Sequence, residues 1–110
     1  MKQIIIPLEK WGIKDLKSLE NVKIRRYYDM PNCGGVYLLC VSFRPIYIGR
    51  ASNMRYRINQ HIKSGRLNHY FDKIRSMRVF WIRNYTREVY IIERTLIKHF
   101  NPVLNKQCVD

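Results

Sequence analysis

The sequence predicts a single α+β domain, and three observations support this prediction. A length of 110 residues suits one compact domain. A hydrophobic content of 46% is typical of a globular protein. Apolar runs of strand type and segments of helical periodicity follow one another in the order strand, strand, helix, helix, strand, helix. Short elements of both kinds along one chain indicate helices packed against a small sheet.

The first 33 residues are predicted to form an N-terminal extension that packs on the rest of the chain. We expect a short strand at 4–7 and a helix over 13–19, where apolar residues recur every third position. The NVKIRRYYDMPNCG stretch that follows predicts an extended link ending in a turn. The predicted organisation is therefore an extension, residues 1–33, and a main domain, residues 34–110.

Two neighbouring apolar runs begin the main domain and predict an antiparallel hairpin. Val36–Phe43 is almost continuously apolar, which favours a strand buried on both faces. Arg44 and Pro45 are expected to turn the chain, and a second strand follows at 46–48.

The second half of the chain predicts three helices and one strand. ASNMRYRINQHIKSG, with Ser52 or Asn53 as its N-cap, is typical of a helix, and LNHYFDKI predicts a shorter one. RVFWIR, at 78–83, predicts a strand because it is β-branched and aromatic. A last helix is expected from Thr86, as N-cap, to about Phe100. The expected buried stripes of the two long helices are Met54, Ile58 and Ile62, and Val89, Ile92, Leu96 and Phe100.

Positive charge is the strongest signal in the composition. Lys and Arg number 21 against 8 Asp and Glu, which gives a formal net charge of +13. A field of this sign attracts polyanions, so nucleic acid is the expected partner, and an inert basic surface is the alternative. The three widely spaced cysteines predict reduced thiols. No apolar run suggests a membrane span or an export signal, so we expect a cytoplasmic protein without membrane contact.

Two tripeptides and three later residues form an ordered set. Gly35-Val36-Tyr37 and Tyr47-Ile48-Gly49 are followed by an arginine in the next helix, a glutamate in the last long helix and the sequence NPVLN. This set resembles the GIY-YIG nuclease family, and the resemblance extends from Gly35 to Asn105. It implies a small three-stranded antiparallel sheet flanked by helices, in agreement with the three strands predicted for this region.

The resemblance also implies a role for each matched residue. The implied catalytic positions are Tyr37, Tyr47, Arg57, Glu93 and Asn105, and Glu93 is the implied metal ligand. Val36 stands in place of the family's isoleucine and keeps its shape. Arg50 stands where many members have lysine, which keeps the charge but changes the donor geometry.

Phosphodiester hydrolysis explains why these residue types occur together. Glu93 is expected to hold one Mg²⁺ or Mn²⁺ ion. Waters and phosphate oxygens are expected to complete the coordination shell of this ion. Arg57 is expected to brace the scissile phosphate. Three residues compete for the role of base: the resemblance favours Tyr37 over Tyr47, and His61 shares a helix face with Arg57 and has an imidazole suited to proton transfer. The expected nucleic-acid contacts are Gly49, Arg50, Arg55, Lys63 and Arg66.

The predicted function is that of a metal-dependent DNA endonuclease. By family precedent it leaves 5′-phosphate and 3′-hydroxyl ends. A restriction-like, phage or mobile-element enzyme would act as a homodimer or higher oligomer to cut both strands. The alternatives are a structure-specific or single-strand nickase and a non-catalytic nucleic-acid-binding module that keeps the fold.

Overall fold

A four-stranded antiparallel sheet forms the centre of the structure, a computed structural model that describes residues 5–65, 67–68 and 76–106. The elements in chain order are β1 (Ile5–Leu8), β2 (Ile13–Asp15), β3 (Glu20–Lys23), β4 (Gly35–Val41), β5 (Arg44–Ala51), α1 (Met54–Lys63), β6 (Met77–Arg83), α2 (Glu88–Phe100) and α3 (Val103–Lys106). Short 3₁₀ helices span Glu9–Trp11, Leu16–Ser18 and Ile24–Asp29. The predicted helix LNHYFDKI falls largely on residues 69–75, which lie outside the described residues.

The sheet has the strand order β3-β6-β4-β5, so β5 lies at one edge and the hairpin partner β4 lies inside. The hairpin turns at Ser42 and Phe43, whose φ angles are 50° and 64°, and not at Arg44 and Pro45 as predicted. Two successive residues at positive φ match the twist of paired strands. Pro45 belongs to β5, where an edge position tolerates its missing N–H group.

Side chains of the central strands pack on both faces of the sheet, as the apolar run of β4 predicts. One face is covered by β1, β2 and α2, and the other by α1, α3 and the 3₁₀ helix Ile24–Asp29. Val36, Leu38 and Cys40 face α2, whereas Tyr37 and Leu39 face α1. The predicted helix stripes are correct: Met54, Ile58, Ile92 and Leu96 are fully buried, and Ile62, Val89 and Phe100 are partly buried against the core.

The sheet has four strands instead of the predicted three, and the additional strand, β3, lies largely in the segment that was predicted to be an extended link. Glu20–Lys23 pairs with β6, and Glu20 accepts two hydrogen bonds from Arg83 at 2.8 and 2.7 Å. These hydrogen bonds raise the pKa of the exposed Arg83 guanidinium. The chain then enters the 3₁₀ helix Ile24–Asp29. Residues of the N-terminal segment therefore extend the sheet of the main domain.

The helix predicted over 13–19 is wrong. Ile13–Asp15 is the strand β2, which pairs with β1, and Leu16–Ser18 is a 3₁₀ turn. The Asp15 carboxylate accepts a hydrogen bond from the Ser18 backbone N–H, and the Asp15 carbonyl accepts one from the Ser18 hydroxyl. Such local side-chain bonds compete with helix formation.

The sequence indicates the N-cap of α1 correctly, whereas α2 begins at Glu88 with Arg87, and not the predicted Thr86, at the N-cap position. Asn53 caps α1 by accepting a hydrogen bond from the Tyr56 N–H at 3.1 Å. The Thr86 hydroxyl accepts one from the Glu88 N–H, and α2 ends at Phe100 before Asn101 takes a left-handed conformation. In the part of the chain that the structure describes, no helix is long and apolar enough to cross a membrane.

Candidate active site

The predicted catalytic residues gather around the edge strand β5. Tyr37 lies on β4, Tyr47 and Arg50 on β5, and Arg57 and His61 on α1. Glu93 reaches the strand from α2, and Asn105 reaches it from α3. Because α1 and α2 cover opposite faces of the sheet, the site extends around this edge from one face to the other.

Tyr37 has no exposed surface, and its hydroxyl oxygen lies 2.9 Å from Nε2 of His61. Tyr37 is paired with Gly49 in the hairpin, and a Cβ atom on Gly49 would lie 2.5 Å from the Tyr37 hydroxyl oxygen. The tyrosine can therefore cross the neighbouring strand only where that strand has no side chain. This contact explains why the second tripeptide ends in glycine.

Tyr47 and His61 complete an aromatic group with Tyr37. The ring centroid of Tyr47 is 5.1 Å from that of His61 and 6.2 Å from that of Tyr37. Tyr47 is partly exposed, and it lines a cleft of about 240 Å³ together with Arg57, Gln60, His61 and Ser64. Tyr47 and His61 can therefore meet a water or a phosphate in this cleft, whereas Tyr37 lies wholly inside the protein.

Arg57 joins two clefts. It lines the 240 Å³ cleft and also a larger one of about 480 Å³, whose lining includes Arg50. Two guanidinium groups at one opening can bind phosphate oxygens in a directed way. The role of bracing a phosphate, predicted for Arg57, stays a prediction.

Glu93 lies beside Arg50 at the α2 end of the site. Arg50 Nη1 is 3.0 Å from Glu93 Oε1, and the side chain of Glu93 is 17% exposed. The Arg50 guanidinium also lies 4.2 Å from the ring centroid of Tyr90. Within the described residues, Glu93 Oε2 accepts no hydrogen bond.

The donor set at Glu93 fits a hard divalent cation. Among residues 5–65, 67–68 and 76–106, no group of three or more His, Cys, Asp or Glu side chains could hold a metal. A single accessible carboxylate suits Mg²⁺, which keeps several of its waters and needs few protein ligands. It does not suit Zn²⁺, which takes three or four nitrogen, sulfur or oxygen ligands.

The side chain of Asn105 is hydrogen-bonded to the backbone of β5. Its amide oxygen accepts a hydrogen bond from the Ile48 N–H, and its amide nitrogen donates one to the Ile48 carbonyl, both at 2.8 Å. Ile48 lies between Tyr47 and Gly49. The side chain of Asn105 therefore holds the second tripeptide in place.

The predicted nucleic-acid contacts occupy different environments. Gly49 is buried, and Arg55 Nε donates a hydrogen bond to the Met30 carbonyl at 2.8 Å, while Arg50 and Lys63 are exposed. Arg66 lies outside the described residues.

The sequence interpretation missed Tyr85 and Tyr90, which line the larger cleft. The signal that could have found them is the pair of tyrosines on either side of the predicted start of α2.

The family model described as the GIY-YIG catalytic domain matches residues 33–107. This chain belongs to the GIY-YIG family. The tripeptides Gly35-Val36-Tyr37 and Tyr47-Ile48-Gly49 lie within the matched residues and pair with each other in the β4–β5 hairpin. The family membership predicted from the sequence is confirmed.

Curated relatives of this GIY-YIG chain include UvrABC system protein C of several bacteria. The protein from Deinococcus radiodurans is 36% identical over 76 residues, which cover 69% of this chain and 12% of that protein. The protein from Dictyoglomus thermophilum is 32% identical over 101 residues, which cover 89% of this chain and 16% of that protein. The chain thus spans a small part of the length of these relatives.

Solved structures share the GIY-YIG fold. The N-terminal endonuclease domain of UvrC from Thermotoga maritima, bound to magnesium as its catalytic divalent cation, has a TM-score of 0.59 and 30% identity. The match covers 74% of this chain and 93% of that domain. An EndoII mutant of bacteriophage T4, at 16% identity and a TM-score of 0.52, has a similar fold over 94% of this chain.

Proposed function

We propose that this chain is a DNA endonuclease that hydrolyses phosphodiester bonds with one divalent cation, Mg²⁺ or Mn²⁺. The observation that carries the proposal is the convergence of three units on one edge strand. These units are the hydrogen-bonded pair of Tyr37 and His61, the cleft-lining Arg57, and the ion pair of Arg50 and Glu93. Hydrolysis of a phosphodiester needs a group that orients water, cations for the phosphate and a site for metal.

In this proposal the water is oriented in the cleft that Tyr47 and His61 line. The Tyr47 hydroxyl accepts a hydrogen bond from the attacking water, because Tyr47 is the tyrosine of the pair that reaches the cleft. Tyr37 is a positioning residue that acts through His61, since it is fully buried and contacts Nε2 of that ring. Burial thus favours Tyr47 over Tyr37, the tyrosine that the family resemblance favours.

Arg57 and Glu93 act on the charge of the reacting phosphate. Arg57 donates hydrogen bonds to its non-bridging oxygens, which gain negative charge in the transition state. Glu93 would hold the cation, which when bound supplies positive charge at the leaving 3′-oxygen. Arg50 pairs with the carboxylate of Glu93 at 3.0 Å in the absence of the cation. The products expected are 5′-phosphate and 3′-hydroxyl ends.

The similarity to UvrC supports this proposal for the catalytic domain. One catalytic cluster in each chain cuts one strand, so a double-strand cut needs two copies. A restriction-like, phage or mobile-element role, action as a homo-oligomer and a place in the cytoplasm stay predictions. A ratio of linear to nicked plasmid that rises with protein concentration is the expected sign of an oligomer.

We also propose that residues 1–33 form an extension built onto a catalytic domain of residues 34–110. The strand β3 pairs with the outer side of β6, and β1 contacts α2. Covering the β6 edge removes a row of unpaired backbone groups. The extension would thereby stabilise the sheet that carries the site.

Incubation of supercoiled plasmid with and without Mg²⁺ tests the proposal. We expect cutting with Mg²⁺ and its loss in Glu93→Gln, which removes the charge of the carboxylate. Glu88→Gln is the matched control, because it lies on the same helix and its amide oxygen can still accept the hydrogen bond that Trp11 Nε1 donates at 2.6 Å. If the protein binds DNA but does not cut it in the presence of any divalent cation, the nuclease assignment is overturned and the binding-module alternative is favoured.

A further inference from the structure

The larger cleft lies next to the proposed reaction site and shares Arg50 and Arg57 with it, but its two tyrosines take no part in the chemistry described so far. Its volume is about 480 Å³, enough for a nucleotide. Its lining includes Arg50, Arg57, Tyr85 and Tyr90. Arg57 lines both this cleft and the smaller one with Tyr47 and His61, so the two are adjacent.

Two tyrosines in the lining expose much of their rings. Tyr85 is 76% exposed and Tyr90 is 55% exposed, although neighbouring aromatic residues of β6 such as Phe80 and Trp81 are buried. The Tyr90 ring is also in contact with a second side chain of the lining, because it lies 4.2 Å from the Arg50 guanidinium.

The charge of the lining favours an anionic ligand. Among the described residues the lining contains two arginines and no aspartate or glutamate. Aromatic rings stack on nucleobases of any sequence, and arginine binds the phosphate that each base carries. Exposed tyrosines with arginines at one cleft therefore suit a single nucleotide better than they suit a plain phosphate.

We propose that this cleft binds an unpaired base of the nucleic-acid substrate, with Tyr85 and Tyr90 as its stacking platforms. The proposal rests on the proposed nuclease function and defines its substrate class. A base inside a duplex is stacked between its neighbours, and a base reaches a side pocket only when it is unpaired or flipped out. Bound there, it places an adjoining phosphate at Arg57. The favoured substrate is therefore DNA with an unpaired nucleotide beside the cut.

A binding experiment without metal tests this inference separately from cleavage. Fluorescence anisotropy in EDTA compares a short paired duplex with the same duplex carrying an unpaired bubble. We expect the full chain to bind the bubble about tenfold more tightly than the duplex, because stacking of an unpaired base on aromatic side chains adds to the binding affinity. The double variant Tyr85→Ala and Tyr90→Ala should lose this preference and keep its affinity for the duplex.

Matched variants separate stacking from general effects. Tyr85→Phe and Tyr90→Phe together keep the rings and should keep the preference for the bubble. Tyr56→Ala removes a ring that is 59% exposed on α1 and does not line the cleft, so it should leave the preference unchanged. A fluorescent adenine analogue at the unpaired position should be quenched by the wild type and by the Phe variants but not by the Ala variant.

The two proposals fail in different ways. A wild type that cuts DNA but binds bubble and duplex equally, without quenching the analogue, would overturn the base-binding cleft and leave the nuclease assignment intact. A wild type that prefers the bubble and quenches the analogue but cuts no DNA would overturn the nuclease assignment and leave the base-binding cleft intact. Loss of the preference in Tyr56→Ala would assign it to α1 and also contradict the inference.

Discussion

The hydroxyl oxygen of Tyr37 lies 2.9 Å from Nε2 of His61, and both side chains are almost completely buried. This contact can hold both rings in one orientation. Tyr37 itself cannot reach a phosphodiester because it has no exposed surface, whereas His61 lines the cleft. Tyr47, which lines the cleft beside His61, is therefore the tyrosine expected to contact the attacking water.

Tyr47→Phe should slow single-turnover cleavage of plasmid DNA by about 100-fold, within the range typical of a group that handles the proton of an attacking water. Tyr37→Phe removes a positioning contact and should slow the reaction by about tenfold, with its DNA affinity unchanged. Tyr56→Phe on the exposed surface of α1 is the control. A larger loss for Tyr37→Phe than for Tyr47→Phe would return the role of base to Tyr37.

Gly49→Ala should destabilise the fold by about 1–3 kcal/mol, because the added Cβ would lie 2.5 Å from the Tyr37 hydroxyl oxygen and force the packed rings apart. Gly34→Ala is the matched control, since its Cβ would meet backbone oxygens only at 3.4–3.5 Å. Chemical denaturation measures the two differences in free energy of unfolding. Equal losses of free energy of unfolding in the two variants would show that Tyr37 can move aside without destabilising the fold.

Asn105→Ala should lower the free energy of unfolding by about 1–3 kcal/mol, because it leaves the N–H and carbonyl of Ile48 without their partner. Cleavage should fall as well, since β5 carries Tyr47 and Arg50. Denaturation and cleavage are measured on the same preparation. Unchanged stability with a complete loss of cutting would instead place Asn105 in contact with the reacting groups.

Arg50→Met should tighten the binding of Mn²⁺ to the protein, measured by calorimetry, by about fivefold. The reason is that Arg50 competes for Glu93 Oε1 at 3.0 Å and repels a second cation. Arg50→Lys keeps the charge and should change the affinity less. Cleavage should slow in Arg50→Met because a phosphate contact is lost. Weaker binding of Mn²⁺ in that variant would contradict the competition.

Cys40 gives a prediction about pH. Burial raises the pKa of the Cys40 thiol above its ordinary value of 9.0, so the folded protein keeps the proton that the unfolded chain releases. The unfolded state then binds fewer protons above about pH 9, and the free energy of unfolding falls there by up to about 1.4 kcal/mol per pH unit. Cys40→Ala should be less stable at neutral pH but lack this part of the slope. Identical slopes in urea titrations would contradict the prediction.

The sequence predicted those parts of the fold that local pattern decides. The doubly buried β4, the Asn53 cap and the apolar stripe of α2 each follow from residues close together in the chain. The helix predicted over 13–19 was wrong because Ile13, Leu16 and Leu19 are all buried through a strand and a 3₁₀ turn, which produce the same spacing as a helix.

Long-range relationships were beyond the reach of local pattern. The strand β3 is polar, and it is recognisable as a strand only through its pairing with β6. The catalytic candidates other than His61 were predicted from family resemblance, and His61 from its spacing to Arg57 on one helix. The contacts of Glu93 with Arg50 and of Asn105 with Ile48 depend on how distant segments pack. The exposure of Tyr85 and Tyr90 is likewise a property of the folded surface.

The pair of hydrogen bonds between Asn105 and Ile48 has a further consequence for how the molecule behaves among copies of itself. One side-chain amide bonds the N–H and the carbonyl of a single edge residue, as a residue of a neighbouring strand would. At that position the edge of β5 is already occupied and cannot serve as a template for another chain. Asn105 thus ends the sheet with one side chain, and it protects the edge that carries the site from strand-to-strand aggregation.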